Sequence, residues 1–265
     1  FIRNDVMKVK ADKIASSTRH AKLQQELILS EEIISKEGYI VAVRILNDKT
    51  VYNTVELVSG RMSQLCADDI LAGVLGARHA LRGYSGVVPE SLKPGDTVHV
   101  LNLGGVLGIC TGYNPEVGQP FEAQVLGAVL HFPSFTERVG RPASIHEGVI
   151  KPRESLSTGV PLAIVSGTCM NAGKTRAACE LVRQISSRGK RVAAAKLTGI
   201  SLMRDTLEMI DFGAERAVNF TDAGIISTNP GNVVSVAKGI VAELSAHQPD
   251  CIVLELGDGI MGEYG

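Results

Sequence analysis

The chain has 265 residues, of which 45% are hydrophobic and 21% charged, a composition typical of one or two globular domains rather than of a disordered chain. Its 27 basic and 28 acidic side chains leave a net charge of −1, which gives no general attraction to nucleic acid or to an anionic membrane. In addition, no apolar run reaches the roughly 20 residues of a membrane-spanning helix. From the charge balance and the lack of such a run, we expect neither nucleic acid nor a membrane as a partner.

The beginning of the chain predicts a helix followed by β structure. A ragged apolar stripe formed by Leu23, Leu27, Ile28 and Ile34 predicts a helix over residues 17–35. Two β-rich runs, 39–46 and 50–58, flank a short polar turn and predict a hairpin. An acidic N-cap, spaced apolar residues and a glycine stop predict a second helix over residues 68–81.

Glycine and proline residues predict the turns and the linker in the rest of the first half of the chain. The turn Lys93-Pro94-Gly95-Asp96 precedes a predicted strand over residues 97–103. Glycines at 104, 105, 108, 112, 118 and 127 indicate the tight bends of a small barrel or sandwich. Residues 134–160 are rich in proline and glycine and hold few long apolar runs, so we predict a linker, placed at 141–160.

From residue 161 onward, strands alternate with helices. Apolar runs at 162–166, 191–195 and 251–256 predict three buried strands, and helices are predicted over 174–188 and 232–246. Such alternation implies a parallel sheet with helices on both faces. The predicted fold is therefore α/β: a smaller β-rich domain with an N-terminal helix at 1–140, the linker, and a parallel-sheet domain at 161–265.

The strongest motif joins the first strand of this sheet to its first helix and reads Ser166-Gly167-Thr168-Cys169-Met170-Asn171-Ala172-Gly173-Lys174-Thr175. Successive backbone N–H groups of such a loop form an anion-binding nest, and the helix N-terminus adds partial positive charge. Gly173 allows close approach of a phosphate, Lys174 supplies a charge to the outer phosphates, and the Thr175 hydroxyl can ligate Mg²⁺. The motif therefore predicts a phosphate-binding loop, in which we expect Lys174 to be exposed when no nucleotide is bound.

Two further segments follow predicted strands of the same sheet. Lys196 ends the second strand in Ala193-Ala194-Ala195-Lys196-Leu197-Thr198-Gly199, and Glu255 lies near the end of the third in Val253-Leu254-Glu255-Leu256-Gly257. Carboxyl ends of strands in α/β sheets face the ligand crevice. With the Gly-Thr-x-x-x-x-Gly-Lys-Thr pattern of the loop, residues 161–265 resemble the dethiobiotin synthetase-like P-loop NTPases.

This resemblance implies ATP and Mg²⁺ as cofactors and assigns roles to individual residues. The catalytic residues would be Lys174 and Lys196. The metal ligands would be Thr175, Asp205 and Glu255, with Asp211 and Asp222 as alternatives to Asp205. The nucleotide would be bound by Gly167, Thr168, Asn171, Ala172, Gly173, Lys174 and Thr175.

The chain departs from the family at two loop positions. Cys169 stands where the family usually has an acidic residue, and Asn171 where it often has glutamate. Both positions lie close to substrate and nucleotide in the family. The resemblance therefore implies a related reaction on another substrate rather than dethiobiotin synthesis itself.

Two functions from different classes follow from this interpretation. The first is an enzyme that transfers the γ-phosphoryl group of ATP to a small carboxylate or carbamate substrate and so activates it. The alternative is a nucleotide-dependent switch or maturation NTPase whose N-terminal domain binds a partner; a regulatory nucleotide-binding domain without turnover is a third. For the enzyme we expect a small-molecule substrate as partner. The sequence leaves open whether the protein forms a homodimer.

The number and spacing of the cysteines predict the cellular compartment of the protein. The chain has five cysteines, an odd number, and none of them forms a Cys-x-x-Cys pair: Cys66, Cys110, Cys169, Cys179 and Cys251. This pattern argues against a zinc site or a disulfide framework and favours a reducing, cytoplasmic setting. Because Phe1 is not a methionine and the predicted sheet has only three strands, we also expect the native polypeptide to continue past Gly265.

Overall fold

A computed structural model describes residues 7–80, 83–132, 139–146, 148–169 and 171–257. The chain divides into two compact units, Phe1–His146 and Glu147–Gly265, called here the N-terminal and C-terminal units. Among the described residues, no helix has both the length and the apolar character needed to cross a membrane. The architecture is α/β, with a large mixed sheet in the N-terminal unit and a parallel sheet in the C-terminal unit.

The N-terminal unit consists mainly of strands. Those in its described residues are β1 (Met7–Lys10), β2 (Lys13–Ile14), β3 (Glu26–Ser30), β4 (Ile40–Ile45), β5 (Thr54–Glu56), β6 (Met62–Gln64), β7 (Ile70–Leu75), β8 (Tyr84–Val87), β9 (Thr97–Val100), β10 (Val106–Tyr113), β11 (Phe121–His131) and β12 (Arg141–Pro142). Short 3₁₀ turns cover Ser16–Ala21 and Pro115–Val117. Strands β5 and β6 pair with each other, and the others join one mixed sheet.

Part of this mixed sheet closes into a barrel. Strand β4 pairs with β7 and β11, β7 pairs with β10, and β9 pairs with both β10 and β11, which completes the ring. Alternate residues point inward, as the two-residue period of a strand requires. The buried interior includes Val41, Val43, Ile45, Leu71, Leu75, Val98, Val100, Leu107, Phe121, Ala123 and Val125.

The predictions of two helices in this unit were wrong. Residues 17–35 instead form the end of a 3₁₀ turn and strand β3, where Leu27 and Leu29 are buried on one face with the period of a strand. In the segment predicted as a helix over 68–81, the described residues contain strand β7, whose run from Leu71 to Leu75 is buried throughout. A short apolar run that is buried on both faces carries no periodicity that separates a strand from a helix.

The predicted hairpin of residues 39–46 with 50–58 was also wrong. Both segments contain strands, but β4 pairs with β7 and β11, while β5 pairs with β6. Strand β4 lies between β7 and β11 in the barrel, and both of these partners are distant from it in the sequence. The predicted strand after Lys93-Pro94-Gly95-Asp96 is present as β9.

The C-terminal unit alternates strands and helices. Its elements are β13 (Leu162–Val165), α1 (Lys174–Ser186), β14 (Val192–Lys196), α2 (Arg204–Asp211), β15 (Arg216–Asn219), α3 (Val233–Ala246) and β16 (Cys251–Glu255), with a 3₁₀ turn over Phe220–Ala223. The four strands are parallel in the order β13-β16-β14-β15. The sequence did not predict α2 or β15.

Helices cover both faces of this parallel sheet. Ala194 and Val253 face α1 and α2, where they pack with Val182 and Met209. Their neighbours in sequence face the opposite way and pack against α3; this second cluster includes Ala193, Ala195, Ile252, Leu254, Ile240 and Leu244. The sheet is therefore buried on both sides over β14 and β16, whose carboxyl ends carry Lys196 and Glu255.

The predicted linker, residues 141–160, is divided between the two units. Strand β12 pairs with β11, and the backbone N–H of Ile40 donates to the carbonyl of Ala143. Beyond the division, Ile150 donates a backbone hydrogen bond to Asp222, and Arg153 donates one to Ser235. Ordered contacts thus extend into this segment from both sides.

Candidate functional site

The loop between β13 and α1 leads directly into the helix N-terminus. Asn171 and Gly173 have φ angles of 62° and 83°, in the left-handed region that favours glycine, and α1 begins at Lys174. The N-cap Gly173 has no side chain with which to bond the first helical N–H groups, which are the groups that bind anions at a helix start. Met170 lies outside the described residues.

Side chains around the loop differ sharply in exposure. Thr168, Cys169, Asn171, Ala172 and Gly173 are exposed. The prediction that Lys174 is exposed was wrong, because Lys174 is 8% exposed and its Nζ donates a 2.8 Å hydrogen bond to the carbonyl oxygen of Cys169. The lysine therefore runs beneath the loop and is held by a backbone oxygen of the loop itself.

Gly167 provides the space for this lysine. A Cβ atom at position 167 would lie 2.9 Å from both Cγ and Cδ of Lys174, closer than real Cβ contacts allow. A side chain at this position would push the lysine out of its place. The first glycine of the motif is therefore explained by contact with Lys174.

Glu255 is the buried centre of the site. It lies at the end of β16, fully buried, and neighbours Val165 of β13 and Lys196 of β14 in the parallel register. Its Oε1 accepts hydrogen bonds from the Thr175 hydroxyl at 2.8 Å and from Lys196 Nζ at 2.6 Å. Its Oε2 is buried and has no hydrogen-bond partner among the residues that the structure describes.

Lys196 lies between two carboxylates. Besides its contact with Glu255, its Nζ is 2.9 Å from Oδ2 of Asp205, which lies in the first turn of α2. Burial by itself lowers the pKa of Lys196, but the two carboxylates outweigh that effect and hold the pKa above its ordinary value of 10.5. One cation faces two anions here, so the cluster has a net negative charge.

The structure thus brings together most of the residues predicted for the site. Thr175, Lys196 and Glu255 are in direct contact, and Asp205 joins through Lys196. The two alternatives to Asp205 do not join. Asp222 accepts a hydrogen bond from the backbone N–H of Asn219 in a capping box, and Asp211 is exposed at the end of α2.

The oxygen atoms of this cluster are of the chemical kind that magnesium binds. Within the described ranges, no group of three or more His, Cys, Asp or Glu side chains is placed to hold a metal. Mg²⁺, however, is commonly bound through one or two carboxylates together with substrate phosphates and water. Thr175, Asp205 and Glu255 offer such hard oxygen ligands, and within the described ranges Oε2 of Glu255 has no partner. Because Lys196 lies between the two carboxylates, its ammonium group has to move for a metal to bind both.

Sequence reasoning missed the role of Thr198. Its hydroxyl accepts a hydrogen bond from the backbone N–H of Gly257, so the loop after β14 is joined to the loop after β16. Thr198 is 5% exposed and lies two residues past Lys196. Its position just beyond a strand end was the available signal, because loops at that edge of a parallel sheet meet in space.

Comparisons with known proteins add no assignment: no protein-family model matches the chain, and no curated protein gives a significant sequence match. The functional argument therefore rests on the residues of this site and their geometry.

Proposed function

We propose that the C-terminal unit binds ATP with Mg²⁺ and transfers the γ-phosphoryl group to a small carboxylate or carbamate substrate. The observation that carries the proposal is the convergence on Glu255, whose one oxygen binds both the hydroxyl of Thr175 and the ammonium of Lys196. The start of α1 and two strand ends meet at this atom, and phosphoryl-transfer chemistry needs cations and a metal ligand in one place.

The loop side of the site supports binding of the phosphates. The uncapped amides at the start of α1 and the ammonium of Lys174 carry the positive charge that the β- and γ-phosphates require. Lys174 Nζ is now bonded to the carbonyl of Cys169, a neutral acceptor. A phosphate oxygen is a stronger, charged acceptor, so Lys174 exchanges one for the other without leaving the loop.

The acidic side of the site supports binding of the metal. Thr175, Asp205 and Glu255 would hold Mg²⁺, which would neutralise charge on the transferred phosphoryl group when it is bound. Displaced from between the carboxylates, Lys196 would supply its charge to the substrate and phosphates instead. Lys174 and Lys196 would then stabilise the charge that shifts during transfer, the main contribution a protein makes to such a reaction.

The chemical step forms one bond and breaks another. A carboxylate or carbamate oxygen of the substrate attacks the γ-phosphorus, the bond to the β–γ bridging oxygen breaks, and ADP leaves with that electron pair. The product is a mixed anhydride between the substrate acid and phosphate. Such an anhydride is activated for attack by an amine or another nucleophile, which would then release inorganic phosphate.

The decisive experiment measures nucleotide hydrolysis by the full chain with Mg²⁺ and ATP or GTP, with and without a panel of small carboxylates and amines. Stimulation of ADP release by an acid supports the proposal. Hydrolysis that no small acid stimulates supports the alternative of a nucleotide-dependent switch. If the full chain neither binds nor hydrolyses nucleotide, both functions fail.

Lys174→Ala is the matching variant, and Lys190→Ala is its control. Lys190 is an exposed lysine of the same unit, before the amino end of β14, where it pairs with Asp250 at 3.5 Å. Loss of one electrostatic stabiliser lowers turnover by roughly 10²–10³-fold, which we expect for Lys174→Ala. Lys190→Ala should retain wild-type turnover, and equal activity of the two variants would contradict the role of Lys174.

A further inference from the structure

The two carboxylates assigned to the metal already hold a cation that belongs to the protein. Nζ of Lys196 lies 2.6 Å from Oε1 of Glu255 and 2.9 Å from Oδ2 of Asp205. The hydroxyl of Thr175 donates to the same Oε1 of Glu255 at 2.8 Å. The ammonium group therefore contacts both carboxylates, and it shares one oxygen with the third residue assigned to the metal.

This cation can be replaced more easily than it can be lost. Glu255 is fully buried, and a buried carboxylate that loses its cation is strongly destabilising. The side chains of Lys196 and Asp205 are 15% and 29% exposed, so solvent reaches both of them. A divalent ion bound by both carboxylates would take the space that the ammonium group now fills. Lysine and metal therefore cannot occupy that space together.

We propose that Lys196 is the resident cation of this site and competes with the divalent metal for Asp205 and Glu255. The inference rests on the proposed function, which assigns the metal to these carboxylates. Without nucleotide, the metal has to displace a lysine that then loses both of its anionic partners. The phosphates of a bound nucleotide offer the displaced ammonium group new anionic partners, so nucleotide favours the exchange.

The exchange couples the binding of the two ligands. A nucleotide that draws Lys196 from the carboxylates raises the affinity for the metal, and by linkage the metal raises the affinity for nucleotide by the same factor. This part of the coupling requires the ammonium group. Lys196→Met removes it, because the methionine side chain carries no charge and ends one atom short of the position of Nζ.

The test measures binding of Mn²⁺ alone to the full chain, without nucleotide, from the electron paramagnetic resonance signal of the free ion. Mn²⁺ prefers the same oxygen ligands as Mg²⁺. Lys196→Met should bind Mn²⁺ at least about tenfold more tightly than wild-type protein, because its competitor is gone. Equal affinity of the two proteins would overturn the proposal.

Two further variants control for binding elsewhere. Lys190→Met changes an exposed lysine of the same unit and should bind Mn²⁺ as wild-type protein does. The double variant Lys196→Met, Glu255→Gln should lose the gain in affinity, because one of the two carboxylates is gone. A gain that persists in the double variant, or that also occurs in Lys190→Met, would contradict competition at this site.

The melting temperature gives a second readout, which covers the case that Lys196→Met does not fold. Because the metal replaces the missing cation, Mn²⁺ should raise the melting temperature of Lys196→Met more than that of wild-type protein. If the variant is unfolded in metal-free buffer, Mn²⁺ should restore its circular dichroism spectrum. A variant that Mn²⁺ neither stabilises nor refolds would overturn the proposal.

These results are distinguishable from a failure of the proposed function, which is tested by nucleotide hydrolysis in wild-type protein. Suppose that wild-type protein hydrolyses Mg·ATP but Lys196→Met gains no affinity for Mn²⁺. The competition is then wrong, and the proposed function stands. If instead wild-type protein neither binds nor hydrolyses nucleotide while Lys196→Met gains affinity for Mn²⁺, the competition is supported and the proposed function fails.

Discussion

Lys196 and Glu255 are direct neighbours in the parallel register of β14 and β16, and their charged atoms are 2.6 Å apart. The glutamate is fully buried, and the side chain of the lysine is 15% exposed. Two opposite charges are thus fixed at adjacent strand ends with little water around them. Removing one charge of such a pair leaves the other buried without its partner, which is strongly destabilising.

Lys196→Met should destabilise the C-terminal unit. The substitution keeps most of the side-chain volume but leaves Glu255 as a buried carboxylate without its cation, which typically costs about 3–5 kcal/mol. Urea unfolding followed by circular dichroism measures the change, since the chain has no tryptophan to report by fluorescence.

The double variant Lys196→Met, Glu255→Gln is the control for this prediction. Removing both charges should restore part of the lost stability, because no uncompensated carboxylate is left at position 255. If the two substitutions are simply additive, the contact between Lys196 and Glu255 does not contribute to stability as argued.

The stability of the same unit should fall at high pH. The pKa of Lys196 lies above its ordinary 10.5 in the folded protein, because its two carboxylates outweigh the effect of burial. A cation with a raised pKa contributes its full stability below the ordinary pKa and loses it as pH rises through the folded value. The melting temperature of wild-type protein should therefore fall more steeply above pH 10.5 than that of Lys196→Met. Parallel curves for the two proteins would argue against this assignment.

Thr175→Ala should weaken binding of Mg·ATP more than binding of ATP without metal. The hydroxyl of Thr175 lies 2.8 Å from Oε1 of Glu255, beside the residues proposed to bind the metal. If Thr175 is a metal ligand as proposed, removing its hydroxyl takes one oxygen from the metal and leaves the charge of Lys174 in place. Calorimetric titrations with and without Mg²⁺ measure both affinities. An equal loss in the two titrations would place Thr175 outside the metal site.

Mg·ATP should protect Cys169 from alkylation. Cys169 is exposed on the loop, and bound nucleotide would cover it, whereas Cys66 is exposed in the N-terminal unit and should react at the same rate throughout. Burial raises the pKa of the Cys179 thiol to about 12, so this residue should stay unreactive near pH 8 with or without nucleotide. Mass spectrometry of labelled peptides gives the three rates, and an unprotected Cys169 would count against nucleotide binding at the loop.

The sequence was most informative where structure is local. The strand, loop and helix around Lys174 follow one another within a short stretch, so their order could be predicted, as could the strand ends that carry Lys196 and Glu255. Strands β4 and β7 could not be paired, because their partners are distant and both strands are buried. The burial of Lys174 also escaped prediction, since it depends on how the loop folds back over the side chain rather than on residue type.

Gly167→Ala should impair nucleotide binding while leaving the fold intact. Gly167 has no positive φ that would strain an alanine, but the added Cβ would lie 2.9 Å from Cγ and Cδ of Lys174. The flexible lysine can give way, so the stability loss should be small, about 1 kcal/mol. Lys174 would then leave the position from which it reaches the phosphates.

Gly159→Ala is the matched control, because a Cβ at position 159 meets no atom of the described residues within 4 Å and the residue has no positive φ. We expect ATP affinity to fall at least about tenfold in Gly167→Ala, a change of about 1.4 kcal/mol, and to stay at the wild-type value in Gly159→Ala. Calorimetry and a melting curve on both variants separate the two effects. If Gly167→Ala melts and binds ATP like wild-type protein, the placement of Lys174 beneath the loop does not determine nucleotide binding, and the role given to this lysine has to be abandoned.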